Sequence, residues 1–539
     1  MIFTWGGTEV RKFLISFLFL SLIFALVACG GEEESSDAEG SSESQGGEAS
    51  VSVDASLNVA YPTNLQTLDP HLTTNQSTRD VSRQIYEQLL TLNENYEVVP
   101  SLAESYEVSE DGLVYTFHLR EGVTFHNGEE MQAEDVVASM EKWMETSTQG
   151  KANLTGAEFV EVDPYTVELH IDQASLIIPY VLADTAPFPA IVPKESVESA
   201  VETGLTEYIG TGPFQLEEWN VDQYIHLTRF DEYQSREEES SGLAGKKEAL
   251  VKDIYFRIVT DPSTRVAGVS TGEYDIAMDI PLDSAEQLSS SAGVDPVYSD
   301  GGISTYVFNN KAGAFADAAL RQAFNTALNA QEAMTAAYTN EEFFKLDSGL
   351  ALPSQVNWHS EAGRENYNQG DIEKAKQLVE ESSYSGEELT ILTTKDYQDH
   401  YNLAVVAQQV LEAIGVKAKL DVYDWPTFQE IRTEPTNYDM FAMTFAVRPT
   451  LHQYPFLDSK AEYPGWTDSE EIDHLLDEIT EQKNFEDAKP LVDELQQVVW
   501  DYLPVAKVGN QQDLVAVSDK VKGYTDLIGP IFWNVSKSE

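Results

Sequence analysis

The sequence predicts a large mixed α/β protein, and three observations carry that prediction. Its 539 residues are 42% hydrophobic and 23% charged, the composition of a folded chain. Short alternating patterns and amphipathic stretches follow one another from residue 51 to the end, with no internal repeat and no second low-complexity linker. Between 388 and 446 the order strand, helix, strand is repeated, which is how a parallel sheet with helices on its faces is written.

The first segment is an address. Arg11 and Lys12 precede an apolar run from Phe13 to Ala28 that is short for a membrane span, so residues 1–28 read as a secretory signal peptide. The run ends Leu26-Val27-Ala28-Cys29-Gly30, which resembles a bacterial lipobox, so Cys29 is expected to become the lipid-bearing first residue. The nine residues before Val10 are unusual for a signal, and the Gly6-Gly7 codons suit a ribosome-binding sequence, so translation is expected to start at Val10. A precursor peptide from residues 1–9 would refute that start. Residues 29–50 are Gly, Ser and Glu with few apolar side chains, too few to offset the entropy of ordering, and are expected to be a flexible acidic tether.

Charge removes whole classes of function. Against 33 Lys and Arg stand 92 Asp and Glu, a formal charge of −59 that would repel phosphate backbones, so no nucleic-acid partner is expected. Cys29 is the single cysteine, which excludes an intramolecular disulfide and any centre built on several thiolates. No metal or cofactor is expected.

In the body, Tyr115, Phe117 and Leu119 alternate with polar neighbours, as do Val167, Leu169 and Ile171 after the Asp163-Pro164 turn; both are predicted half-buried strands. Val136, Met140, Trp143 and Met144 recur at helical spacing. So do Leu320, Phe324, Ala327 and Leu328, and Ile372, Ala375, Leu378 and Val379, each set an apolar face turned to a core. Then come a strand at Leu389–Leu392, a helix at Leu403–Ile414 stopped by Gly415, a strand at Ala418–Tyr423, a short helix and a strand at Met440–Phe445. Ligands of such sheets lie at the carboxyl ends of the strands, so the loops after Leu392, Tyr423 and Phe445 become the candidate site.

Five stretches in order resemble the family 5 extracellular solute-binding proteins, the receptors of peptide, nickel and related ABC importers. They are Leu65 to His71 with Ile85-Tyr86-Glu87; Leu102 to Val136 with its Phe125-His126-Asn127-Gly128; Gly210-Thr211-Gly212-Pro213-Phe214 with Trp219 and Arg229; Val307-Phe308-Asn309-Asn310 with Asp317 and Leu320-Arg321-Gln322-Ala323; and Glu373 to Leu378 with the segment to Pro504. The resemblance implies a bilobed periplasmic-binding-protein-like fold, type II, in its large three-subdomain form, with two crossings between lobes. By position these fall near 303–310 and 503–510. Lobe I is then 51–305 with an inserted subdomain at about 83–200, lobe II is 306–507, and 508–539 returns to lobe I. It also implies a monomer that closes over a small peptide or peptide-like solute and presents it to an ABC permease, outside the cell membrane or in the periplasm.

In the peptide receptors of that family an aspartate a few residues beyond a strand-ending aromatic pairs with the peptide's amino group. Here the segment reads Phe445-Ala446-Val447-Arg448-Pro449, with arginine where the acid is expected. A guanidinium suits a carboxylate or phosphate, not an ammonium. Arg448 therefore clamps an anionic ligand group, or pairs with one of the many acids, or leaves the role to Asp458 or another acid. The other candidate ligand contacts are Tyr61, Asn64, Asn309, Lys395, Tyr397, His400, Phe445 and Lys507. His118 and His126, lacking partners at metal spacing, read as structural.

The sequence leaves two alternatives open. Arg448 suits an opine, a metal chelate or another anionic solute. Gly268-Val269-Ser270-Thr271-Gly272 has the letters of a serine-hydrolase elbow, but the residues before it read as a helix rather than the strand an elbow needs. No enzyme is expected.

Overall fold

The structure is a computed structural model that describes residues 54–538. The signal peptide 1–28, Cys29 and the tether 29–50 lie outside the described residues. Among the described residues no helix is long and apolar enough to cross a membrane.

An eleven-stranded sheet organises the described chain. Its centre is a pair of long antiparallel strands, Val294–Phe308 and Val505–Ser518. On one side, Ile276–Ala277 joins the second long strand, and Ser56–Tyr61, Asp253–Ile258, Tyr224–Arg229 and Phe214–Asn220 follow outward. On the other, Met440–Ala446 joins the first long strand, followed by Glu388–Thr394 and Lys417–Tyr423 in parallel. Each half thus contains parallel pairing, as the strand and helix order predicts, but the two long strands are continuous through both halves.

Pairing changes partners within the long strands. Residues 294–300 face only the second long strand, whereas 302–308 are also hydrogen-bonded to 440–446, with a bulge between Asp300 and Gly302. The pairing therefore changes at Asp300–Gly302, opposite Gln511–Asp513. No turn residue marks the passage in the second strand, because the backbone stays extended. In the first strand Gly301 and Gly302 mark it: a Cβ on Gly301 would meet the Asp513 carboxylate, and one on Gly302 the Phe445 carbonyl oxygen.

A separate four-stranded antiparallel sheet is formed by Ala103–Val108, Val114–Leu119, Thr166–His170 and Glu158–Asp163. Phe117, Val167 and Leu169 are fully buried, with Val136, Met140 and Trp143 of the helix Ala133–Thr146 in the same core. Burial of such side chains is worth about 1.5–3 kcal/mol each, which explains why the alternation and the helical stripe predicted this region well.

The helix after Glu388–Thr394 runs Gln398–Ala413, starting earlier than Leu403. Its first turn is polar and gives no apolar period, yet His400 turns inward, where its Nε2 accepts from Thr444 N at 3.3 Å. Gly415, at φ +86°, ends it as expected. Ser270 sits in the helix Pro262–Thr271, its hydroxyl donating to the Val266 carbonyl at 2.8 Å, and Gly272 closes that helix in the left-handed region. The strand-to-helix turn of a hydrolase elbow is not formed there.

The conspicuous motifs turn out to be joints. Lys142 Nζ donates to both Asp69 oxygens, at 2.7 and 3.0 Å, and lies 3.2 Å from His71 Nδ1, while His71 Nε2 donates to Ala190 O at 2.8 Å. His126 is clasped by the Gly210–Gly212 turn: Gly210 N donates to Nδ1 at 3.3 Å, and Nε2 bonds Gly212 O at 3.0 Å. Burial pushes this imidazole down to about 4, so it stays neutral. His118 is exposed on its strand. The turn itself lies against the end of the helix Gln76–Ile85, where a Cβ on Gly212 would fall 2.6 Å from the Gln84 carbonyl oxygen. Gly212→Ala is expected to cost about 1–3 kcal/mol by overpacking. Thermal unfolding checks this, and an unchanged Tm would show that the helix end can retreat.

Candidate ligand-binding cleft

A cavity of about 460 Å³ opens where the two long strands pass between the halves. Its floor is Ser299–Gly301 and Asp513–Val515. Tyr61, the last residue of its strand, lines one side together with Arg79, Asp80, Met278 and Asp279. Tyr397, just beyond Glu388–Thr394, and Ala446 to Pro449, where Met440–Ala446 ends, line the other. Carboxyl ends of strands from both halves therefore meet at one space, as parallel pairing requires. Asp184 and Thr185 approach from the segment that carries the separate sheet, and Asp526 and Ile528 to Pro530 from the C-terminal segment.

The walls are acidic, and most of the acids are already engaged. Asp80 accepts from Tyr61 OH at 2.7 Å and from Arg79 Nε at 2.8 Å, and burial together with the Asp80 charge raises the Tyr61 phenol well above its ordinary value. Asp300 accepts from Lys345 Nζ at 2.9 Å and Gln512 Nε2 at 2.7 Å. Asp184, 2% exposed, accepts from Gln453 Nε2 and Ala186 N; burial pushes its carboxyl up to about 6, against those bonds and the Arg448 charge. Asp513 is exposed to the open space yet walled in by the surrounding segments. That confinement, with the charges of Asp526, Asp279 and Asp300, pushes it up to about 7. Burial and the Asp80 charge raise Asp526 as well.

Of the residues expected at the ligand, Tyr61, Tyr397 and Arg448 line this cavity. The Arg448 side chain is exposed, and its guanidinium forms no hydrogen bond or ion pair among the described residues. The others are placed elsewhere. Asn309 is fully buried, its amide donating to the carbonyls of Pro435 and Tyr438 and accepting from Lys311 N and Ala312 N, so it fastens a loop. Lys507 is 1% exposed and bound to Gly349 O and to Asp347 at 3.3 Å; burial brings its ammonium down to about 8. Phe445 turns its ring to Phe456 and Tyr463, at 4.8 and 5.7 Å, leaving Ala446 and Val447 to face the space. Asn64 donates to Asp222, Lys395 lies over the Tyr401 ring, and His400 is buried behind Tyr397. Strand ends led to this cavity, but not to which side of each strand end faces it.

Asp80, Asp184, Asp279, Asp513 and Asp526 were missed. Single aspartates carry no distinguishing signal in so acidic a chain. Among the described residues no group of three or more His, Cys, Asp or Glu is placed to hold a metal ion.

The model for bacterial extracellular solute-binding proteins, family 5 Middle, matches residues 97–464. The probable peptide ABC transporter periplasmic-binding protein y4tO of Sinorhizobium fredii is 27% identical over 499 residues, 88% of this chain and 92% of that protein. The glutathione-binding protein GsiB of Salmonella typhimurium is 30% identical over 376 residues, 68% of this chain and 69% of its own. The crystal structure of the ABC transporter substrate binding protein CtaP from Listeria monocytogenes superposes with a TM-score of 0.77 at 22% identity, covering 87% of this chain and 95% of that one. Matching most of the described body, these similarities mean that the chain belongs to the bacterial extracellular solute-binding proteins, family 5.

Proposed function

We propose that this protein captures short peptides outside the cell, between the two halves of its sheet, and delivers them to the permease of an ABC importer. The observation that carries the reading is the cavity of about 460 Å³ lined by strand ends from both halves, a volume in the range of small-molecule sites. The relatives whose names state a cargo support the choice of peptide, since glutathione is itself a tripeptide. In this reading lobe I holds the N-terminal strands and the C-terminal segment, lobe II the strands from 302 to 511, and the protein works as a monomer without catalysing a reaction. Cleavage before Cys29 and lipidation of its thiol would tether it to the membrane through residues 29–50.

Native mass spectrometry of the gently purified protein tests the cargo, because a ligand enclosed between lobes is released slowly. Bound masses matching short peptides are the expected result. A single non-peptide mass would replace peptide with an opine or another solute. A mature N-terminus other than acylated Cys29 would remove the anchor.

A further inference from the structure

Ion pairs or short hydrogen bonds hold most charges of the cleft, and three stand out as the least engaged. Arg79 and Tyr61 take Asp80, Lys345 and Gln512 take Asp300, and Gln453 takes Asp184. Asp279 lies 3.7 Å from Arg265. Among the described residues Asp513 receives a 3.3 Å bond from Gln511 Nε2, and Asp526 a 3.0 Å bond from Gly529 N beside the Tyr524 hydroxyl. Neither has a cation within ion-pair distance among the described residues, and Arg448 has no carboxylate within that distance there. The leftover acids lie at the second long strand and the C-terminal segment; the leftover guanidinium stands beyond the end of Met440–Ala446, with Asp184 as its acidic neighbour.

An unpaired charge that loses water when a cleft closes is costly, so a ligand is favoured if it brings the opposite charge to each such place. Resting on the peptide reading above, we infer that the bound peptide lies with its free amino group against Asp513 and Asp526 and its carboxylate at Arg448, opposite to the direction the family resemblance implies. The ammonium would stand between two carboxylates that otherwise repel each other, offsetting one of the two charges. The guanidinium fork matches a carboxylate in two hydrogen bonds. The same pairing disfavours ligands that carry several negative groups and no cation, because the space offers them one guanidinium among repelling acids.

Proton release gives an independent readout. Asp513 stands at about 7, raised by burial and by Asp526, Asp279 and Asp300, with Arg79 the opposing charge. An ammonium docked beside it would pull that value down, so binding near neutral pH should expel protons. Titration calorimetry in buffers of different ionisation enthalpy measures this.

The test uses the purified protein and three synthetic libraries of tri- and tetrapeptides: free at both ends, N-acetylated, and C-amidated. Captured peptides are weighed by mass spectrometry. The wild type should retain free peptides at least about tenfold better than either blocked library, a difference of about 1.4 kcal/mol. Arg448→Gln should lose its preference against amidated peptides and keep it against acetylated ones. Asp513→Asn with Asp526→Asn should do the reverse and abolish proton release. The opposite assignment of the two variants would overturn the inferred direction, and capture without regard to either end would overturn the inference while leaving a peptide receptor. Failure to capture any library would overturn the peptide reading with it. Arg448 and Asp513 are exposed, and asparagine at 526 keeps the acceptor for Gly529 N, so the variants should fold; matching thermal unfolding verifies that.

Discussion

Asp69→Ala should destabilise the protein by about 3–5 kcal/mol, the cost of leaving one member of a buried ion pair without its partner. Asp69 is fully buried and the Lys142 side chain 9% exposed, so the stranded ammonium could not recover its water. The loss would spread, because Asp69 also accepts from Leu205 N at 2.9 Å and Lys142 touches His71, which holds Ala190. A urea titration measures the effect. Removing both charges, with Lys142→Met added, should restore part of it; a single substitution that costs nothing would mean that water reaches the pair. Acid provides a second reading. Burial alone would raise the Asp69 carboxyl, but His71, Lys142 and the hydrogen bonds from Lys142 and Leu205 N outweigh it and hold the group below its ordinary value. A carboxyl lowered in the folded state contributes stability above its unfolded pKa and loses it as pH falls through the folded one. The wild type should therefore lose stability faster than Asp69→Ala as pH drops through and below the ordinary carboxylate range.

Arg448→Ala should weaken capture of a peptide with a free carboxylate by about 2–5 kcal/mol, provided closure leaves that anion buried without a partner. Thermal stability of the empty protein should barely change, since the exposed guanidinium forms no hydrogen bond or ion pair among the described residues. Arg448→Lys separates charge from shape: it keeps the cation and loses the planar fork, so its affinity should fall between the two. Calorimetric titration reads both variants. An affinity untouched by alanine would take Arg448 out of the ligand's reach and leave recognition to Tyr61, Tyr397 and the acids.

The legible parts of this fold are those where burial imposes a period. The stripe Val136, Met140, Trp143 and the alternation Phe117, Leu119 are set by solvent on one side and core on the other, and the structure buries them as the sequence implies. His126 as a structural residue was legible from its lack of partners, although the turn that clasps it lies 84 positions further along the chain and left no local trace. The cleft was legible only as a place. Tyr61, Tyr397 and Arg448 follow from strand ends, whereas Asn309, just past the first long strand, and Lys507, within the second, lie beyond the passage and turn their polar groups to neighbouring loops. Which side of a strand faces a cavity depends on pairing across hundreds of residues, and the bulge between Asp300 and Gly302 shifts that pairing by one position. The spare acids are legible only in the folded cleft, from the partners that the acids around them hold.

The two halves are joined by hydrogen-bonded strands rather than by free linkers, and that changes what opening and closing can be. A pair of strands laddered along its length behaves as a leaf spring: it bends and twists about a preferred shape and returns to it. Bare backbone at Gly301 and Gly302 lets that ribbon pass close against Asp513 and the Phe445 carbonyl, on the floor of the cavity. The rest angle of the receptor is then written in backbone geometry, separately from the groups that recognise cargo. Evolution can retune how readily such a receptor shuts by altering the ribbon alone, leaving the choice of what it shuts upon unchanged.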